Sequence, residues 1–106
     1  MKIFISQPMR GKSEEFIIQE RKNAVSKLKE LYPDVEIIDS YHKGYLEELE
    51  TKDPISTPIK YLAASIHMLA DAKLVVFLSG WEEARGCLIE KRVAERYGIE
   101  TMIMNP

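Results

Sequence analysis

One unbroken apolar run, Leu74-Val75-Val76-Phe77-Leu78, constrains the fold of this chain more than any other feature. A strand that is apolar at every position has no side for water, so it needs cover on both faces, as in a parallel sheet between helices. The run is also far too short to cross a bilayer. We therefore expect an α/β domain built around a buried parallel sheet, with no membrane partner.

The rest of the chain alternates between strand-like and helix-like patterns. Strands are predicted at residues 2–6, 35–38, 73–78 and 100–104, and helices at 14–32, 57–70 and 83–97. Ser13 and Thr57 are the expected N-caps, Pro58 follows in the first turn, and Gly98 is the expected C-terminal cap. This order predicts one three-layer domain over residues 1–106, with four or five mainly parallel strands and helices on both faces.

Composition narrows the classes of partner and compartment. Fifteen basic against seventeen acidic residues give a net charge of -2, without the basic excess that a nucleic-acid-coating protein needs. The single cysteine, Cys87, excludes an intrachain disulfide framework and a cysteine zinc site, and predicts a reducing, cytoplasmic setting. No spacing of His42 or His67 with carboxylates indicates a metal site, and the pattern indicates no cofactor.

Residues 40–56 have no clear period, although residues 45–50 could form one or two helical turns. A loop of this length in a small domain is either a functional lid or a misassigned element. Tyr41, His42 and Tyr45 form an aromatic cluster that could line such a lid.

Ligands of parallel α/β sheets bind beyond the carboxyl ends of the strands, where the loop at residues 7–12 is the first candidate. Gly11 lets the backbone approach a ligand closely, and Arg10 is a forked donor suited to phosphate. The alternative is an ordinary turn with a solvated Arg10 and Lys12, because the loop matches no known phosphate-binding pattern.

The loop at residues 79–86 and the helix after it form the second candidate. Arg85 and Gly86 fall near a helix N-terminus, which favours anions. Glu90 lies one turn further among apolar residues, where a carboxylate could act as nucleophile or general base, or could simply pair with Lys91 or Arg92. Trp81 could stack on a ring or pack over the sheet end.

Two segments together resemble the nucleoside 2-deoxyribosyltransferase-like superfamily, nearest the branch that hydrolyses deoxynucleoside 5′-monophosphates. They are Phe4-Ile5-Ser6-Gln7-Pro8-Met9-Arg10-Gly11, and the block of Ala70-Asp71, an apolar strand and Gly86-Cys87-Leu88-Ile89-Glu90. The resemblance covers both ends of the chain and leaves the middle unmatched. It implies a Rossmann-like fold, usually dimeric, with small bacterial and phage proteins as the nearest members.

The resemblance also implies roles for individual residues. Glu90 falls where the superfamily carries the Glu that attacks the sugar C1′ and forms a glycosyl-enzyme, and Arg10 and Gly11 fall in the loop that holds the 5′ end of the substrate. The candidate substrate-binding residues are Ser6, Gln7, Met9, Arg10, Gly11, Trp81, Arg85 and Gly86. Ala63 stands where the superfamily carries a helper Asp, and the residues that could replace that acid are Asp39, Tyr41, His42 and Tyr61.

Two functions remain open at this level. The first is hydrolysis or transfer at the N-glycosidic bond of a (deoxy)nucleoside 5′-monophosphate by a homodimer or higher homo-oligomer. The second is a non-catalytic module that binds a nucleotide or nucleotide derivative in the same pocket, and Ala63 favours it. A third, weaker interpretation is an interaction protein whose last helix serves only a dimer interface.

Overall fold

The computed structural model describes residues 1–39 and 56–104. The candidate residues Tyr41 and His42, and the helical turns considered at 45–50, lie outside this part. The elements in chain order are β1 (Lys2–Ser6), α1 (Glu14–Leu31), β2 (Glu36–Ile37), α2 (Ser56–Leu69), β3 (Leu74–Leu78), a 3-10 turn (Trp81–Glu83), α3 (Arg85–Arg96) and β4 (Glu100–Met104).

The four strands form one parallel sheet in the order β2-β1-β3-β4. β1 and β3 are the central strands, with Ile3 opposite Leu74 and Ser6 opposite Phe77. The predicted fold is confirmed: the chain is a compact three-layer, Rossmann-like α/β domain with helices on both faces of a parallel sheet.

Two apolar cores, one on each face, explain the composition of the buried strands. The first core packs under α1 and comprises Ile3, Ile5, Ala24, Leu28, Leu74, Val76 and Leu78. The second packs under α2 and α3 and comprises Phe4, Leu69, Val75, Phe77, Cys87 and Ala94. Since β3 supplies alternate residues to both cores, all of its positions are buried, as its apolar sequence predicts.

Local signals fix the ends of two helices. The Ser13 Oγ accepts a hydrogen bond from the backbone N–H of Phe16 at 3.1 Å, which confirms Ser13 as the N-cap of α1. At the end of α3, Gly98 adopts φ 76° and Ile99 N–H donates to the Ala94 carbonyl at 2.8 Å. This is a Schellman cap, and its left-handed residue favours glycine.

Several predicted boundaries are wrong by one or two residues. α2 begins at Ser56, so Thr57 lies within the first turn and is no N-cap; Pro58 is tolerated there because the first N–H groups of a helix have no intrahelical acceptor. Glu83 belongs to the 3-10 turn, since the chain becomes extended at Ala84 before α3 begins. Strand β2 is limited to two residues.

No helix within residues 1–39 or 56–104 is long and apolar enough to cross a membrane.

Candidate functional site

The crevice between β1 and β3 is the place where this fold can hold a ligand. The chain leaves β1 for a helix on one face and β3 for a helix on the other, so the loops after these strands diverge. The two loops touch at their bases: Gly80 adopts φ 91°, and a Cβ built on it would lie 3.7 Å from Pro8 Cγ. A larger residue at position 80 would strain the backbone there.

Glu90 is the central residue of this crevice. It lies on the inner face of α3 with 6% of its surface exposed, and it is the only buried carboxyl group in the described part of the chain. Its Oε1 accepts a hydrogen bond of 2.8 Å from the hydroxyl of Ser6, the last residue of β1. The surface pairing of Glu90 with Lys91 or Arg92 is therefore wrong, and Lys91 pairs with Glu95 instead.

Burial decides the ionisation of Glu90. Loss of hydration raises the pKa of its carboxyl from 4.5 to about 7, and the Ser6 hydrogen bond, which favours the charged form, opposes only part of this change. The carboxyl group is thus divided between its charged and neutral forms near neutral pH. A group with this property can act as a nucleophile, a base or an acid.

Cys87 completes the cluster around Ser6. Burial, assisted by the charge of Glu90, raises the pKa of its thiol to about 11, although the Ser6 hydroxyl and Lys12 act to lower it. The thiol is therefore neutral at physiological pH and is not an activated nucleophile. It belongs to the second core, as its predicted role as a small apolar residue requires.

Gln7 anchors the loop after β1 to the helix that follows it. Its buried amide Nε2 donates to the carbonyl of Ile17 at 2.9 Å and to Glu20 Oε1 at 3.0 Å. Gln7 therefore anchors the loop to α1, whereas the sequence predicted it as a substrate contact.

Lys12 is a neighbouring cation that sequence reasoning left as a solvated residue. Its Nζ lies 3.7 Å from Glu20 Oε1 and 5.1 Å from the centre of the Phe16 ring. Lys12 precedes the N-cap of α1, so the helical i,i+4 rule does not cover its contact with Phe16, and no local pattern indicated it.

The two arginines expected at the site are exposed. Arg10 lies at the outer end of the first loop next to Gly11, and the half-buried Met9 precedes it. Arg85 opens α3, where Ala84, the N-cap residue, supplies no side-chain cap. Gly86 follows with its Cα open to added volume.

Trp81 packs over the end of the sheet. Its ring centre lies 5.7 Å from that of Phe77, and Lys91 Nζ lies 5.3 Å from it on α3. The packing interpretation of Trp81 thus accounts for its position.

The possible auxiliary residues occupy separate elements. Asp39 is exposed at the end of the first described segment, beyond β2. Tyr61 is half-buried on α2, and Ala63 is exposed on the same helix.

Two grooves lie outside the crevice, and the residues that line them do not include Glu90. One, of about 210 Å³, lies between α1 and the ends of β3 and β4 and is lined mainly by apolar atoms, with Phe16, Leu78 and Met104 among them. The other, of about 520 Å³, lies beside α3 and contains Trp81.

The comparison with known families matches residues 1–103 to a family described as "Domain of unknown function (DUF4406)". The chain belongs to this family. No curated protein and no solved structure matches it. Membership of the family carries no activity with it, so the resemblance to the deoxyribosyltransferase-like superfamily stays a prediction.

Proposed function

We propose that this DUF4406 domain cleaves the N-glycosidic bond of a nucleoside or deoxynucleoside 5′-monophosphate, with Glu90 as the nucleophile. The observation that carries this proposal is the buried carboxyl group of Glu90, held by Ser6 at 2.8 Å in the crevice between β1 and β3. A carboxylate is costly to bury, and a buried carboxylate at a ligand-binding crevice is more typical of catalysis than of stability.

The reaction proceeds in two displacements. The Glu90 carboxylate attacks C1′ of the sugar, so that an ester bond forms as the C1′–N bond breaks, and the base departs with the electron pair and takes a proton from water. Water then attacks C1′, loses its proton, and releases the 5-phosphosugar with the Glu90 carboxylate restored. If a second base attacks in place of water, the outcome is transfer.

A phosphorylated substrate is favoured by the charges around the crevice. Arg10 lies on the loop after β1 and Arg85 is the first residue of α3, whose first turn presents backbone N–H groups without a side-chain cap. A 5′-phosphate at this turn would meet both the helix dipole and a guanidinium group.

The second candidate is a binding module that holds the same nucleotide without turnover. Ala63 favours it, since the methyl side chain of this exposed α2 residue cannot act as an acid that assists the departing base. The two candidates share a pocket, and they differ in whether Glu90 has an activity to lose.

The test is release of free base, followed by chromatography, from a panel of ribo- and deoxynucleoside 5′-monophosphates that includes modified pyrimidines. We expect release by the wild type and none by Glu90→Gln, while Glu82→Gln, which removes an exposed charge from the 3-10 turn, keeps full activity. Intact-mass detection of a glycosyl adduct on the wild type would support the covalent step.

Three results would overturn the proposed catalysis. Release that survives in Glu90→Gln assigns the chemistry to other residues. No release, with thermal stabilisation by the nucleotides retained, supports the binding module. No release and no stabilisation contradict the nucleotide site as a whole.

A further inference from the structure

In the described part of the chain, a single helix covers one face of the sheet. The crossover from β1 to β2 is α1, so this helix lies towards that half of the sheet, while α2 and α3 both pack on the opposite face. Within residues 1–39 and 56–104, no second helix lies beside α1 to cover β4. The groove of about 210 Å³ between α1 and the ends of β3 and β4 occupies this place.

The groove has an apolar floor. Leu78 and Met104 are register partners at the ends of β3 and β4, and both side chains pack on the α1 face of the sheet. Ala24 of α1 lines the groove beside them, and Phe16 lines it nearest the start of α1 with 50% of its surface exposed. A ligand with an apolar body would therefore gain stability by removing this surface from water.

The charge left unopposed at the groove is positive. Four polar lining residues lie along α1: Gln19, Glu20, Asn23 and Lys27. Glu20 is already engaged, since its carboxyl accepts a hydrogen bond of 3.0 Å from Gln7 Nε2 and lies 3.7 Å from Lys12 Nζ. Lys27, in contrast, has no ion-pair partner among the described residues. The groove therefore favours an anionic ligand.

Asn23 and Lys27 lie one helical turn apart and can hold one anionic group between them. Gln19 Nε2 donates to Asn23 Oδ1 at 3.0 Å, which leaves the Asn23 amide nitrogen as a hydrogen-bond donor. Helical side chains lean towards the N-terminus of their helix, so Lys27 extends towards the turn that carries Asn23. A carboxylate here would accept a hydrogen bond from the amide and would pair with the ammonium group.

We propose that this groove binds a small monocarboxylate with an apolar body, of the class of medium-chain fatty acids. The carboxylate lies at Asn23 and Lys27, and the hydrocarbon chain covers Leu78 and Met104. The site is separate from Glu90, because α3 packs on the opposite face of the sheet. It therefore does not depend on the proposed glycosidic cleavage.

The groove beside α3 is less suited to such a ligand. Four of its six lining residues are charged: Lys91, Arg92, Glu95 and Arg96. A hydrocarbon chain placed there would take hydration from these charged groups without replacing it. Binding in the two grooves can be told apart, because the only tryptophan of the chain, Trp81, lines the groove beside α3 and does not line the groove under α1.

Octanoate is the probe, and it is titrated into the full chain. Carbon-13 NMR of the methionine methyl groups should show a saturable shift of Met104, while the fluorescence of Trp81 stays unchanged. Acetate, which has the charge without the apolar body, should cause no shift at the same concentrations. Octylammonium, which has the same body with the opposite charge, should bind at least about tenfold more weakly.

Charge reversal at the rim tests the assigned contacts. Lys27→Glu should lower the affinity for octanoate at least about tenfold, because attraction becomes repulsion. The matched control Lys22→Glu changes the net charge equally at an exposed position of α1 that does not line the groove, and it should bind octanoate as the wild type does. Asn23→Asp, which replaces the donor nitrogen by a charged oxygen, should also weaken binding. If Lys27→Glu is unstable, Lys27→Gln should show a smaller loss of the same sign.

The proposal is overturned if octanoate leaves Met104 unshifted, or if Lys22→Glu weakens binding as much as Lys27→Glu. Octylammonium binding as tight as that of octanoate would equally overturn it, since the apolar floor alone would then act. A change in Trp81 fluorescence without a shift of Met104 would assign the ligand to the groove beside α3. Loss of a dimer on dilution, with a shift of Met104 in the protein alone, would show that a second copy occupies the groove.

Discussion

At the scale of single residues, the chemistry of this chain concentrates on one carboxyl group. Alternation along β1 directs Ser6 to the same face as Phe4, and helical spacing directs Glu90 to the same face as Cys87 and Ala94. The two side chains meet because α3 packs on the face of the sheet to which Ser6 points. The burial of Glu90 has a consequence for stability that is independent of any substrate.

The stability of the fold should fall as the pH rises through the titration of Glu90. Below pH 4.5 the carboxyl is neutral in both folded and unfolded chains; above about pH 7 it is charged in both, and the folded chain bears the full cost of burial. Between these limits the free energy of unfolding falls by an amount of the order of 3 kcal/mol. Glu90→Gln removes this pH-dependent loss of stability, so the variant should be more stable than the wild type at pH 8 but not at pH 4.

Urea unfolding across this pH range measures the difference. Glu82→Gln is the control, since its exposed side chain lies in the adjacent 3-10 turn and should follow the wild type. Parallel pH profiles for the wild type and Glu90→Gln would contradict the assigned burial.

Ser6 should hold the pKa of Glu90 below the value that burial alone would give. Ser6→Ala removes a hydrogen bond to the charged form and should therefore raise the pKa of the Glu90 carboxyl above about 7. Carbon-13 NMR titration of the Glu90 side chain measures this directly. Ser26→Ala, an exposed change on α1, should leave the titration unmoved, and an unshifted curve in Ser6→Ala would show that the hydroxyl does not act on Glu90.

The sequence predicted the members of this cluster better than their partners. Spacing and resemblance both indicated Glu90, because its helix position and apolar neighbours are local properties. The hydrogen bond from Ser6 depends on how a strand and a helix are placed against each other in the fold. The two residues lie 84 positions apart in the chain, so no local sequence pattern indicates this bond. For the same reason the sequence, which predicted Arg10 as a phosphate contact, did not indicate that Lys12 lies beside Glu20 and Phe16.

At the scale of elements, the two ends of α3 differ in whether their backbone conformation requires glycine. Gly98 has φ 76° and closes the Schellman cap, so a Cβ there is strained by the backbone itself. Gly86 lies in the first turn of α3 without a positive φ, and nothing lies within 4 Å of a Cβ built on it.

The two glycines should therefore respond in opposite directions to the same substitution. Gly98→Ala should lower the free energy of unfolding by about 1 kcal/mol, whereas Gly86→Ala should leave it unchanged or raise it by up to about 1 kcal/mol. Chemical denaturation of both variants provides the comparison. An equal loss in each would mean that α3 ends otherwise than through its left-handed cap.

Boundary predictions failed where the decisive geometry is not helical. Glu83 has a helix-compatible sequence context, but the 3-10 turn that starts at Gly80 occupies it, and Ala84 then becomes extended. The start of α2 was missed because Thr57 and Pro58 fit a first turn equally well one residue later. The parallel sheet with helices on both faces, in contrast, followed directly from the alternation of strands and helices along the chain.

At the scale of the whole molecule, two cores share one pair of strands. Ile5 points to the α1 face and Phe4 to the α2 and α3 face, and β3 feeds both sides in the same way. A substitution that removes packing from one core therefore also weakens the sheet on which the other core is built. The layers should accordingly unfold together and not in turn.

Truncation on either face of β1 tests this cooperativity. Ile5→Ala and Phe4→Ala should each cost about 2–5 kcal/mol, because both side chains are 2% exposed. Trp81 contacts Phe77 in the core opposite Ile5, so its fluorescence reports on the far layer. For Ile5→Ala we expect fluorescence and far-UV circular dichroism to give the same midpoint in urea. A separate, earlier circular dichroism transition would instead indicate that the α1 layer detaches while the core around Trp81 persists.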